Sequence, residues 1–259
     1  MSMLPVPLDT SVVAAAGALS YHAAMDADCI AGNIAEVSER VRAAAEKVGR
    51  APETVQVLAV SKTHPAEAVR AAFAAGLRHF GENYLQEAED KIAATADLDG
   101  IHWHFIGPIQ SNKTRAIAAH FDWVHSVDRL KIARRLSEQR PEDLPPLKIC
   151  LQVNISGEAS KSGVEPDALP ALAAAVAGLP RLELRGLMAI PAPFEDEALK
   201  REPFAHLAAL LASLRADLDE KLPRLDTLSM GMSADLEAAI AEGATLVRIG
   251  TAIFGPRGT

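Results

Sequence analysis

One lysine and two glycine-containing loops carry the residue types and spacings best suited to chemistry in this sequence. Lys62 closes the apolar run VQVLAVS (55–61) and is followed by Thr63, His64 and Pro65. An amine at the end of a buried strand is partly desolvated, which lowers its pKa and makes a neutral nucleophile available for a Schiff base with a carbonyl compound. A solvated loop lysine is the alternative. Near the C-terminus, LSMGMSAD places Ser229, the flexible Gly231 and the Ser233 hydroxyl just before a helical stretch, and RIGTAIFG places Gly250 and Thr251 before a short apolar segment. Loops that end at helix N-termini hold phosphate through backbone N–H groups and hydroxyls. The alternative is that Ser233 and Thr251 only cap helices. Arg248 alternates with Val247 and Ile249 and so faces away from them, and a buried guanidinium needs an acceptor. Glu82 or a ring nitrogen of a bound cofactor would serve.

Other chemistry-bearing types suit quieter roles. His102 and His104 flank Trp103 at strand spacing, as a metal pair would, but no Asp, Glu or Cys cluster joins them and no metal is expected. Cys29 and Cys150 have no CxxC or Cys/His spacing, so neither a disulfide framework nor a zinc site is signalled. Cys150 lies in LKICLQV and reads as a small buried hydrophobe. The polar run NKTR (112–115) reads as a helix face, and SGEASKSG (156–163) as a loop in which Lys161 is a charge contact for entering ligands.

The elements that must position these residues recur along the chain. Eight short apolar runs, at 55–61, 78–83, 102–107, 123–127, 147–155, 184–190, 227–233 and 245–250, alternate with amphipathic stretches. That alternation is the signature of a parallel sheet buried on both faces. One helix, NIAEVSERVRAAAEKVG, is expected after Gly32 and before the first run, and another begins at Phe204. Eight strands with eight helices are the count for a closed α/β barrel, a (β/α)8 TIM barrel, with an open doubly wound sheet as the alternative. In such a barrel ligands bind at the C-terminal ends of the strands. This adds Asn83, His104 with Gly107, Asn154 and Met188 to the candidates by position.

The 259 residues suit one large domain, and 49% hydrophobic but only 4% aromatic residues imply a core of Ala, Leu, Val and Ile. A formal charge of -8 argues against nucleic acid or an anionic membrane surface as a partner. No apolar run reaches the roughly 20 residues that span a bilayer. VVAAAGAL has the length of a signal core, but Asp9 and no Lys or Arg precedes it, so it is read as non-secretory. Residues 1–30 have no counterpart in the repeat and are expected as a disordered N-terminal extension to a barrel over 31–259.

The order and spacing of VLAVSKTHP, HFGENYLQE, WHFIGPIQSNKTRAI, QVNISGEASKSG, RGLMAIP, LSMGMSADLEAAI and VRIGTAIFG resemble the pyridoxal 5'-phosphate (PLP) homeostasis proteins. Their fold is similar to the N-terminal barrel of alanine racemase, and the likeness covers about residues 33–257. By this resemblance Lys62 forms the internal aldimine, Arg248 faces the pyridine nitrogen, and Ser233, Gly250 and Thr251 hold the phosphate. Asn83 approaches the ring side, and Ser229 and Gly231 are further cofactor contacts, with loop shaping by their backbone or hydroxyl as the alternative. A guanidinium cannot accept a proton, so the ring stays neutral and is a weak electron sink. The resemblance therefore implies a cytoplasmic carrier or regulator of PLP, expected to be monomeric, with PLP-dependent apo-enzymes as recipients. The competing readings are an amino-acid racemase or transaminase, or a barrel for another phosphorylated metabolite. Two-base racemisation needs a tyrosine from an additional domain, none of which follows the last run, and Tyr21 and Tyr84 are the only tyrosines. Pro108 stands at a position where the family motif varies.

Overall fold

A computed structural model describes residues 11–157, 162–192, 196–218 and 224–256. The strands are β1 (Gln56–Val60), β2 (His79–Glu82), β3 (His102–Phe105), β4 (Trp123–Val127), β5 (Leu147–Gln152), β6 (Leu182–Met188), β7 (Thr227–Ser229) and β8 (Leu246–Ile249). All pair in parallel with their sequence neighbours, and β8 pairs with β1, closing the barrel. The open sheet is thus excluded.

The helices are α1 (Ser11–Lys47), α2 (Ala66–Ala74), α3 (Leu85–Ala94), α4 (Thr114–His120), α5 (Leu130–Gln139), α6 (Leu169–Ala177), α7 (Glu197–Leu218), α8 (Leu236–Ala241) and α9 (Thr251–Phe254). Alternate strand residues face outward onto them: Val57, Ala59, Val247 and Ile249 pack into one continuous apolar sheath with Val69, Leu207 and Ile240. Their neighbours face the barrel interior, as strand periodicity requires. There Trp123, Cys150 and Met188 form a small separate cluster.

Two helix starts differ from the expectation. α1 does not begin after Gly32 but runs through it: Gly32 lacks the positive φ of a helix-ending glycine, and an exposed helix tolerates glycine at about 1 kcal/mol. Its backbone is helical from Ser11, within the segment expected to be a disordered extension. α7 begins at Glu197 rather than Phe204, with Pro203 inside. Phe204, Leu207, Leu211 and Leu214 bury a stripe that holds the helix despite the bond the proline removes.

Candidate functional site

The closed strand order places the sequence candidates on one arc. Ser233 follows β7, Gly250 and Thr251 follow β8, Lys62 follows β1 and Asn83 follows β2, so four consecutive strands supply them at their C-terminal ends. β8 is in register with β1 through Leu58↔Arg248 and Ala59↔Ile249. A Cβ on Gly250 would lie 3.3 Å from the Val60 carbonyl oxygen, so the two strand ends meet closely. Gly231 has φ +92, and a Cβ there would come within 2.6 Å of Ala239 Cβ. Its task is to turn the chain under α8 where no side chain fits.

Neither hydroxyl caps a helix. The cap position of α8 is Asp235, whose Oδ1 accepts from Met232 N–H at 2.6 Å, and that of α9 is Gly250. The expectation that Ser233 is the N-cap is thereby corrected. Helix α1 pins both loops from outside: Arg40 Nη2 donates to the Ser233 carbonyl at 3.0 Å, and Asn33 Nδ2 to that of Ile253 at 2.9 Å.

Lys62 is half-buried and sits between two gripped peptide units. On one side the buried Lys91 Nζ donates to the Ser61 carbonyl at 2.6 Å; on the other, Thr63 N–H donates to Glu87 Oε1 at 2.5 Å. Lys91 also bonds Glu82 at 2.8 Å and Glu87 at 2.6 Å, and Ser61 Oγ donates to Glu82 at 2.6 Å. One ammonium therefore ties α3 and β2 to the backbone that carries Lys62. Thr63 has φ 66, a left-handed conformation that a side chain disfavours and this network holds. Burial raises the Glu82 pKa, against the opposing attraction of Lys91.

Arg248 does not pair with Glu82, which belongs to Lys91. Its Nη1 donates to the Ser229 carbonyl at 2.5 Å and to Ser229 Oγ at 3.0 Å, and its Nη2 to the Ala189 carbonyl at 2.9 Å. Carbonyls suffice because the group keeps its charge: burial pushes its pKa down only to about 10. No described residue accepts from Nε. Past the end of β2, Asn83 Oδ1 is buried without a hydrogen-bond partner. Asn83 also lines a cavity of about 250 Å³ at the barrel mouth with Ile106, Pro108, Gln152, Ser162 and Ile190. A Cβ on Gly107 would fall 2.1 Å from the Asn83 carbonyl oxygen, so only glycine permits this approach.

His104 is no metal ligand partner of His102. It lies inside the barrel, with Nε2 2.9 Å from His79 Nδ1 and Nδ1 2.9 Å from His125 Nε2. His125 Nδ1 is in turn 2.7 Å from Ser229 Oγ. His102 is exposed at the start of β3 and stacks on His79 at 4.8 Å between centroids. Burial pushes the His79 pKa down to about 4 and that of His125 to about 3, helped by the charges of His102 and Lys148 on the first and of Arg248 on the second. His104 falls well below the usual value for the same reason, with His125 adding to it. All three are neutral near pH 7. Among the described residues no group of three or more His, Cys, Asp or Glu could hold a metal.

The remaining candidates stand apart from the arc. Asn154 Nδ2 donates to Glu165 at 2.9 Å. Met188 and Cys150 are buried in the interior cluster, Cys150 with its thiol pKa pushed up to about 12 by burial. Cys29 is exposed. Lys161 lies outside the described residues. The sequence reading missed Lys91, Glu87, His79 and His125. Lys91 and Glu87 are spaced (i, i+4) on α3, a visible ion-pair signal, but their bonds to the peptide units on either side of Lys62 are set by the barrel.

Among the described residues no helix is long and apolar enough to cross a membrane. Residues 32–258 match the family model of the alanine racemase N-terminal domain. A pyridoxal phosphate homeostasis protein of Pseudomonas aeruginosa is 67% identical over 228 residues, 88% of this chain and 96% of that protein. One from Escherichia coli is 56% identical over 230 residues, 88% of this chain and 97% of that protein. The structure of PipY of Synechococcus elongatus with PLP bound is similar at a TM-score of 0.75 and 41% identity, covering 87% of this chain and all 100% of that one. With its closed eight-stranded barrel, its lysine after β1 and these likenesses, the chain belongs to the pyridoxal phosphate homeostasis proteins, built on the alanine racemase N-terminal barrel.

Proposed function

We propose that this chain binds PLP, anchored on Lys62, and manages the supply of that cofactor rather than catalysing with it. The observation that carries the reading is the arc of four consecutive strand ends, which brings a half-buried lysine, two hydroxyl-bearing glycine loops and a buried arginine to one mouth of the barrel. PLP supplies an aldehyde that condenses with amines and a ring that withdraws electrons. The residues fit such a group. Lys62 provides the amine, while Ser233, Gly250 and Thr251 provide hydroxyls and backbone N–H groups that no helix cap consumes. Arg248 Nε and Asn83 Oδ1 are a donor and an acceptor without partners among the described residues. Ser229 and Gly231 hold Arg248 and the β7 loop in place.

Arg248 favours a carrier. It is a donor only, still charged near pH 7, so a ring nitrogen beside it gains no proton and electron withdrawal stays weak. Tyr84, the one tyrosine next to a proposed contact, is 57% exposed, where water competes with any proton it would move. We place the protein in the cytoplasm as a monomer, with PLP-dependent apo-enzymes as recipients. The charge of -8 speaks against nucleic acid and anionic membranes as partners.

The test is the visible spectrum of the purified protein with PLP, before and after borohydride reduction, followed by peptide mapping. The pyridoxyl group is expected on Lys62, and reactivation of an apo-enzyme should follow addition of the loaded protein. A label on another lysine overturns the anchor. Robust multiple turnover of an amino acid that vanishes in Lys62→Ala overturns the carrier reading in favour of an enzyme.

A further inference from the structure

The hydrogen bonds inside the barrel form one file across five strands, and its first member fixes the direction of all the rest. A guanidinium only donates. Arg248 Nη1 donates to Ser229 Oγ at 3.0 Å, and the only other partner of that hydroxyl among the described residues is His125 Nδ1 at 2.7 Å. Ser229 is fully buried, so its own proton has no water to go to and must point at His125. His125 Nδ1 is then an acceptor, and its proton sits on Nε2, from which it donates to His104 Nδ1 at 2.9 Å. The same step repeats: His104 Nε2–H donates to His79 Nδ1 at 2.9 Å. His79 is left with Nε2–H at the lower end of the barrel. There a cavity of about 330 Å³ opens, lined among others by His79, His104, Trp123, Arg185 and Asp226.

The opposite direction fails at one atom. With His125 donating from Nδ1, Ser229 Oγ would accept twice and its own proton would face no acceptor in a buried site. The file is thus an element with two polarities, and the charge of Arg248 selects one. Because the selection is mutual, the imidazoles hold the Ser229 hydroxyl as an acceptor for Arg248 as firmly as Arg248 holds them.

We propose that His125, backed by His104 and His79, is a positioning residue for Arg248: through Ser229 it keeps the guanidinium oriented at the cofactor end of the barrel. This rests on the reading of Arg248 as a PLP contact, and the test separates the two. Nitrogen NMR of protein labelled with 15N-histidine, without PLP, should show Nδ1 unprotonated and Nε2 protonated in all three rings. PLP titration by absorbance should then show affinity about tenfold weaker in His125→Leu, which removes the acceptor from Ser229. His125→Asn, whose Oδ1 takes the place of Nδ1, should restore most of it. Ser229→Ala should match the leucine variant, and it serves if His125→Leu does not fold. A protonated Nδ1 on His125, or equal PLP affinity in the leucine and asparagine variants, overturns the positioning role while the parent's PLP binding stands. A parent protein that binds no PLP overturns the function and this role together, whatever the tautomers.

Discussion

The two sides of the barrel wall are built on opposite principles. Outward, every strand meets a helix through Val, Leu, Ile, Ala and Phe, in one apolar cluster that runs around the molecule. Inward, Trp123, Cys150 and Met188 make a small separate apolar cluster and Leu58 and Leu246 are buried outside the sheath, while His79, His104, His125, Ser229 and Arg248 form a bonded polar file. The outer side is non-directional and tolerates exchange of one hydrocarbon for another. In the inner side each atom depends on the proton of its neighbour, so a substitution is felt along the file. Stability is expected to reside mainly in the sheath, whereas the interior carries hydrogen bonds that end on Arg248.

The largest effect expected is therefore in the sheath. Phe80 is fully buried against Trp103, ring centroids 5.8 Å apart, and Phe80→Ala should lower unfolding free energy by roughly 3–5 kcal/mol. Urea denaturation measures the loss, and the folded fraction should bind PLP as the parent does. A variant of normal stability but poor binding would erase the distinction between the two sides.

Lys91→Met comes next, and it probes the place where sheath and site meet. It strands the buried Glu82 carboxylate and should cost about 3 kcal/mol. Unlike Phe80→Ala, it should also slow labelling of Lys62 by PLP and borohydride, because the Ser61 carbonyl loses its clamp. Adding Glu82→Gln should recover stability but not the labelling rate. Recovery of both would reduce Lys91 to a partner of Glu82 alone.

That contrast also marks what the sequence made legible. The eight strands and the arc of Lys62, Asn83, Ser233, Gly250 and Thr251 were readable because apolar periodicity and position at a strand end are local properties. The interior file was not. His79, His104 and His125 lie on three strands, and nothing in WVHSV or RHFGEN says that their rings meet; closure of the barrel brings them together. The same holds for Arg248, whose acceptors are carbonyls of residues 189 and 229 rather than the acidic side chain that a sequence search looks for. The start of α1 escaped for a different reason: glycine at position 32 looks like a boundary, yet an exposed helix tolerates it at about 1 kcal/mol.

The neutral imidazoles give the interior a pH signature. Their folded pKa values lie below the ordinary 6.5, so below about pH 6.5 the unfolded chain binds more protons than the folded one. Stability is full above that value and falls with acidification. For His79 the loss is complete only below about pH 4, and for His125 below about pH 3. The slope contributed is at most about 1.4 kcal/mol per pH unit for each ring. Glu82, with its pKa raised, acts in the opposite sense. Urea midpoints of the parent and His125→Asn between pH 7 and 5 isolate the histidine part, and the variant should show the shallower slope. Equal slopes would mean that His125 is not held neutral.

The smallest effect on stability belongs to the loops at the mouth, and it separates function from fold most cleanly. Ser233 and Thr251 occupy no cap position, so Ser233→Ala and Thr251→Val forfeit no capping bond and should change the urea midpoint little, by less than about 0.5 kcal/mol of unfolding free energy. If the hydroxyls hold phosphate, each lost bond to that charged group should weaken PLP retention by roughly 1.5–3 kcal/mol, about ten- to a hundredfold in dissociation constant. Equilibrium dialysis against PLP, alongside thermal melts without it, reads both quantities on the same samples. The backbone of these loops is fixed from outside by Arg40 and Asn33, so the substitutions should not move it. A sharp drop in melting temperature with unchanged PLP affinity would return both residues to the structural side of the wall.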